Sequence, residues 1–160
     1  MQMQIKELLA EDIELLVSLR MEVLSHVFET SCGQMSKKEW KSLEQENRRY
    51  YETELLCGGH VACAAYQGEE LLGSGGICFY RELPSPDNLS GKCAYLMNIY
   101  TREAYRRNGV AKEICRWLIK KAKIRGAEKI YLETSEDGRV LYQRLGFSDM
   151  KDYMLLTDYR

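Results

Sequence analysis

Hydrophobic positions along this chain change their spacing several times, and each change marks an element. Met3 to Leu9 is a short, mixed run that reads as a strand. Asp12 then reads as a helix N-cap, because Ile13, Leu16, Val17, Leu19, Val23, Leu24 and Val27 recur at helical spacing behind it. Ser36 and Glu39 stand at the distance where each side chain satisfies the other's free amide, so a second, very polar helix is predicted from there to about Leu55. The pattern then turns to apolar and small runs, His60 to Tyr66 and Leu71 to Tyr80. With Gln67-Gly68-Glu69-Glu70 between them, they predict an antiparallel hairpin. Glu82 to Lys92 holds both prolines and is a loop, and Cys93 to Thr101 is the next strand.

Helical spacing returns from Gly109 to Arg125. Val110, Ala111, Ile114, Cys115, Leu118, Ile119 and Ala122 share one face, and Lys112, Arg116, Lys120, Lys121 and Lys123 occupy the other. Gly126 follows where a helix-ending glycine belongs. Lys129 to Glu133 is a further strand, Asp137 to Leu145 a short helix, and Tyr153 to Thr157 a final strand. The order β-α-α-β-β-β-α-β-α-β makes a single α+β (α/β) domain over residues 1–160. Its strand–helix–strand unit pairs two parallel strands through a right-handed crossover.

Composition narrows the function. With 45% hydrophobic and 29% charged residues the chain is ordinary globular material. A net charge of −1 argues against a protein that coats nucleic acid by charge alone. No run reaches the length of a membrane span, and Met1 to Ala10 lacks the apolar stretch of a signal peptide. The six cysteines (Cys32, Cys57, Cys63, Cys78, Cys93, Cys115) form no C-x-x-C pair, and only two histidines accompany them. That spacing predicts free thiols, no metal site and a cytoplasmic setting.

Charge is concentrated in one place. From Arg102 to Lys129 ten basic residues face three acidic ones, a local +7. Lysines on the far side of the helix read as a solvated face. Arg106, Arg107 and Lys112 belong instead to the turn Thr101 to Lys112, T-R-E-A-Y-R-R-N-G-V-A-K, where a strand ends and a helix opens at a glycine. The first amides of a helix lack partners and its dipole is positive there, a geometry that suits a pyrophosphate. Gly109 removes the side chain where backbone and oxyanion must approach, and Ala111 keeps the helix close.

Arg106, Gly109 and Ala111 form the pattern R-x-x-G-x-A, and Leu141-Tyr142-Gln143-Arg144-Leu145-Gly146-Phe147 form L-Y-x-x-L-G-F. Together these motifs resemble the GNAT superfamily of N-acetyltransferases, by motif over Cys93 to Phe147 and by order of elements before Leu55. The resemblance implies a mixed, twisted sheet of about six to seven strands flanked by about four helices. It also implies acetyl-CoA as acyl donor, with no metal, and a primary amine of a small molecule or peptide as acceptor. Attack would be direct, in a ternary complex. Ile99, Tyr100 and Thr101 would pair with the pantetheine arm, and the amides of Arg107, Asn108, Gly109, Val110, Ala111 and Lys112 would hold the pyrophosphate. An amide near Ile99 would receive the thioester carbonyl. Ser135 stands where many members place a cofactor-contacting asparagine, and serine can still donate one hydrogen bond.

Such a transfer needs a neutral amine and a proton for the departing thiolate. By motif position Tyr142 is the general acid; the alternative is an aromatic that only packs in the core. Members often carry a glutamate on the fourth strand, yet Tyr95 to Tyr100 contains no carboxylate. Glu133, at the next strand's end, is the candidate base or an exposed glutamate without a role. Glu22 and His26 are weaker candidates and, with Glu29, Tyr100 and Tyr153, mark the acceptor side. Two other readings are a CoA-binding regulator without turnover and a nucleic-acid binder acting through the basic helix, which no stacking platform supports. Many relatives dimerise, so a homodimer is possible.

Overall fold

The computed structural model describes residues 2–28 and 33–157. Its elements are β1 (Gln4–Leu8), α1 (Ile13–Val27), α2 (Lys37–Cys57), β2 (His60–Gln67), β3 (Glu70–Arg81), β4 (Lys92–Thr101), α3 (Val110–Ile124), β5 (Lys129–Leu132) and α4 (Glu136–Arg144). Short 3-10 turns at Ala10–Asp12 and Glu103–Tyr105 precede α1 and α3. The strands form one sheet in spatial order β1-β2-β3-β4-β5, antiparallel except for the parallel pair β4 and β5 that α3 connects.

The mixed fold follows the hydrophobic spacing, with two corrections. Among the described residues the sheet has five strands rather than six to seven, because Tyr153 to Thr157 is irregular and not a strand. Its residues have high strand propensity, but propensity alone supplies no backbone partner, and Met154 and Leu155 stand 99% and 86% exposed. Asp12 does not cap α1 with its side chain; its carboxylate turns back and accepts from the Leu9 amide at 2.8 Å, closing the 3-10 turn. The Ser36–Glu39 box is present in both directions, at 2.7 and 3.2 Å. Gly126 takes the left-handed conformation just after α3.

Two cores share the sheet. Val61, Cys63, Ala65, Ile77, Ala94 and Leu96 pack under α3 through Val110, Ile114, Cys115 and Leu118. On the opposite face Ala62 and Ala64 lie under α1 and α2, against Leu16, Leu19 and Tyr51. Burial on both faces explains why the central strands show no clean apolar–polar alternation. Small residues let the helices approach: a Cβ on Gly75 would stand 2.6 Å from Ile114 Cγ2 and 2.8 Å from Ile99 Cδ1. Cys63, Cys93 and Cys115 are buried free thiols and Cys57 is an exposed one; Cys32 lies outside the described residues. Among the described residues no helix is long and apolar enough to cross a membrane, and no group of three acidic, histidine or cysteine side chains is poised to hold a metal.

His60 opens β2 inside the second core, 3.0 Å from the Tyr50 hydroxyl through Nδ1 and edge-on to Tyr51. Burial, aided by the charge of Arg20, lowers its pKa to about 4. The folded state therefore resists a proton that the unfolded chain accepts at about 6.5. Stability from a neutral His60 is present above that value and drains as pH falls towards 4, by up to about 3 kcal/mol. Urea unfolding between pH 7 and 4.5 is expected to show this loss, and His60→Gln to flatten the part due to His60. An unchanged slope in the variant would assign the acid sensitivity to other groups.

Candidate functional site

β4 and β5 pair only from Cys93–Lys129 to Leu96–Leu132. Beyond that point β4 continues to Thr101 while β5 ends, so Met97 to Thr101 present a strand edge that β5 does not cover. The parting coincides with a bulge. Gly76 faces Met97 but Ser74 faces Tyr100, which places one extra residue in β4. Asn98 supplies it with φ 58°, a left-handed conformation that asparagine tolerates better than most residues. Its Oδ1 accepts from Arg20 of α1 at 2.9 Å, and Arg20 also reaches Asn47 of α2. Sequence reading missed Asn98; an asparagine amid strand formers was the available signal.

The loop after β4 is shaped by two further left-handed residues, Arg107 (φ 64°) and Gly109 (φ 79°). The first intrahelical bond of α3 runs from Glu113 N to Gly109 O, leaving the amides of Val110, Ala111 and Lys112 ahead of it without helical partners. A Cβ on Gly109 would meet nothing within 4 Å. Backbone conformation, not contact within the protein, therefore calls for glycine, and the space beside it is open. Of the basic residues of this region, Arg102, Arg116, Lys121 and Lys129 are paired with carboxylates. Among the described residues Arg106, Arg107 and Lys112 have no acidic partner; Arg106 donates to Thr101 O at 3.4 Å and lies beside the Tyr100 hydroxyl. The turn keeps its positive charge available.

Tyr142 projects from α4 towards the core beneath α3, with its ring edge-on to Phe147 at 6.0 Å. Burial, and then the nearby Cys115 thiol, push its pKa up to about 12, so the hydroxyl keeps its proton. Ser135 is the residue before α4, and its exposed side chain does not cap the helix. Glu133 follows the last residue of β5, at the mouth of the parting, and its carboxylate influences Tyr95 across on β4.

The residues expected on the acceptor side are more constrained than their sequence suggests. Glu22 is held by Arg102 in a two-point pair at 3.0 and 2.9 Å, so its charge is already matched. His26 stacks on Tyr100, with centroids 5.7 Å apart and planes at 14°. Tyr100 is buried at the end of β4. Tyr153 lies by Lys129 instead, with the ammonium 5.4 Å from its ring, and Glu29 lies outside the described residues. The structure thus brings Ile99, Tyr100, Thr101, Arg106 and the turn to Lys112 together along one chain segment, with Glu22 and His26 over its start.

Residues 24–147 match the acetyltransferase (GNAT) family. The chain belongs to that family. Solved GNAT-like structures superpose over nearly its whole length. A predicted acetyltransferase from Clostridium acetobutylicum, solved with acetyl-CoA, is 28% identical with a TM-score of 0.82, covering 98% of this chain and 96% of that one. A GCN5-related N-acetyltransferase from Ralstonia eutropha JMP134 shares the fold, with a TM-score of 0.79 at 20% identity over 98% of this chain and 99% of that one. In sequence, the chain is 34% identical over 89 residues to the uncharacterized N-acetyltransferase YsnE of Bacillus subtilis (strain 168). That match covers 52% of this chain and 53% of that protein, so the chain aligns with about half the length of the curated relative.

Proposed function

We propose that this GNAT chain transfers the acetyl group of acetyl-CoA to a primary amine held beside it. The observation that carries the reading is the parting of β4 from β5 immediately before an amide-rich, positively charged turn. An extended arm fits the free edge at Ile99, Tyr100 and Thr101. A diphosphate fits the amides from Arg107 through Asn108, Gly109, Val110 and Ala111 to Lys112, with Arg106 and Arg107 adding charge. The free Ser135 hydroxyl is a further donor on the β5 side.

Acetyl-CoA supplies a thioester carbonyl and a thiolate leaving group. Transfer joins the amine nitrogen to the acetyl carbon and breaks the carbon–sulfur bond. Glu133 takes a proton from the amine, directly or through water, and Tyr142 gives one to the sulfur. A β4 amide near Ile99 donates to the carbonyl oxygen as its charge grows. Much of the acceleration comes from holding both partners in one complex.

Thermal unfolding with acetyl-CoA, CoA, ATP and NAD is the first test. Acetyl-CoA and CoA at about 100 times their dissociation constants are expected to raise the unfolding temperature by roughly 5–10 °C, and ATP and NAD to leave it unchanged. Thiol release on adding amines then reports turnover. A shift without thiol release for any amine would replace the enzyme by a CoA-binding regulator. No shift at millimolar acetyl-CoA would remove the cofactor assignment.

A further inference from the structure

The sheet face opposite α3 carries a group of side chains that the reaction as described does not use. Ile77 and Phe79 of β3, Ala94 and Leu96 of β4, and Ile130 and Leu132 of β5 all pack on the α3 side. Strand alternation therefore sends Tyr80, Tyr95 and Tyr131 out of the other face. Tyr95 and Tyr131 are direct register partners, with ring centroids 5.0 Å apart and planes at 34°. Tyr80 meets Tyr131 edge-on at 6.3 Å and 83°. Helices α1 and α2 cover β2 and the bulged end of β4 but leave this floor reachable. Tyr80 is 39% exposed, and Tyr95 and Tyr131 are half-buried.

The floor leads to the reaction site. Leu96–Leu132 is the last pair before the strands part, and Glu133 is the next residue on the face of Tyr131. Tyr95 faces Tyr131 across that register, and the Glu133 carboxylate acts on its hydroxyl: burial first, then that carboxylate, push Tyr95 up to about 12. Two residues along a strand span roughly 7 Å, a distance that a two-carbon arm and its ammonium's hydrogen bond to a carboxylate cover together.

We propose that Tyr80, Tyr95 and Tyr131 select the acceptor, a primary amine on a flat, apolar body of the arylalkylamine kind, with its ring on the tyrosines and its ammonium towards Glu133. The inference rests on the acetyltransferase reading and names the substrate class of that same site. Polar acceptors such as amino sugars find little here, because the Tyr80 and Tyr131 hydroxyls bond to each other at 2.6 Å. Polyamines carry several charges and find the other carboxylates near the floor already matched. Glu22 is occupied by Arg102 and Glu82 by Lys129, whose ammonium stands 5.6 Å from the Tyr131 ring at the far end of the floor. What remains is ring surface with one acidic end, and ring surface favours stacked or edge-on aromatic partners.

The test measures phenethylamine, spermidine and glucosamine as acceptors at saturating acetyl-CoA, together with calorimetric binding of phenethylamine to the CoA-loaded protein. Phenethylamine is expected to bind at sub-millimolar concentration and to exceed the other two in kcat/KM at least tenfold. Tyr131→Ala is expected to raise its KM about tenfold, with kcat and the acetyl-CoA unfolding shift retained, for the loss of a stacking ring. Tyr131→Phe keeps the ring and is expected to restore the parent KM, which also separates recognition from a folding defect. Preference for spermidine or glucosamine, no binding of phenethylamine, or an unchanged KM in Tyr131→Ala overturns the proposal while the acetyl-CoA shift keeps the acetyltransferase reading. Loss of that shift in the parent chain sinks both.

Discussion

Gly109→Glu is expected to abolish the rise in unfolding temperature that acetyl-CoA gives the parent chain, while the ligand-free protein still folds. The two effects separate because of what surrounds Gly109. A Cβ there meets no protein atom within 4 Å, so the substitution breaks no packing. It does force an L-residue to φ 79°, at about 1–2 kcal/mol. A carboxylate at the start of α3 returns about 0.3–1 kcal/mol by facing the helix dipole. The ligand-free unfolding temperature should therefore move by only a few degrees. Binding is different, because the new carboxylate competes for the same amides and opposes a diphosphate by like charge. Gly109→Ala carries the strain without the charge and should keep most of the shift. A full acetyl-CoA shift in Gly109→Glu would move the diphosphate away from this turn.

Tyr142→Phe should lower kcat by about a hundredfold or more, the usual size of a lost proton donor, and leave the acetyl-CoA unfolding shift nearly intact. The ring stays packed against Phe147 and the α3 core, so the fold loses only a hydroxyl. The pH profile adds a second reading. A pKa raised to about 12 means that Tyr142 holds its proton through pH 10. The parent kcat should therefore rise with pH as the amine loses its proton, with no falling limb below about pH 10 from this group. Equal losses in turnover and acetyl-CoA binding would make Tyr142 a packing residue instead of the acid.

The sequence by itself determined most of the architecture, because the signals involved are local. Helical spacing with lysines opposite makes α3 amphipathic wherever it lies, and Ser36 with Glu39 caps α2 within four residues. The turn Arg106 to Lys112 was equally legible, since a strand end, a glycine and a helix start are contiguous in the chain. Contacts between distant segments were not legible. Nothing near Glu22 announces that Arg102, 80 positions later, takes its carboxylate. Nothing near Asn98 announces the partner from α1 that holds the bulge where β4 leaves β5. Tyr80, Tyr95 and Tyr131 read separately as ordinary strand residues, and only the register of three strands makes them one surface. The final strand failed for the same reason in reverse: Tyr153 to Thr157 has the composition of a strand, but a strand exists only where another backbone accepts it. Spacing along the chain decides what a segment prefers, and the tertiary fold decides which side chains meet.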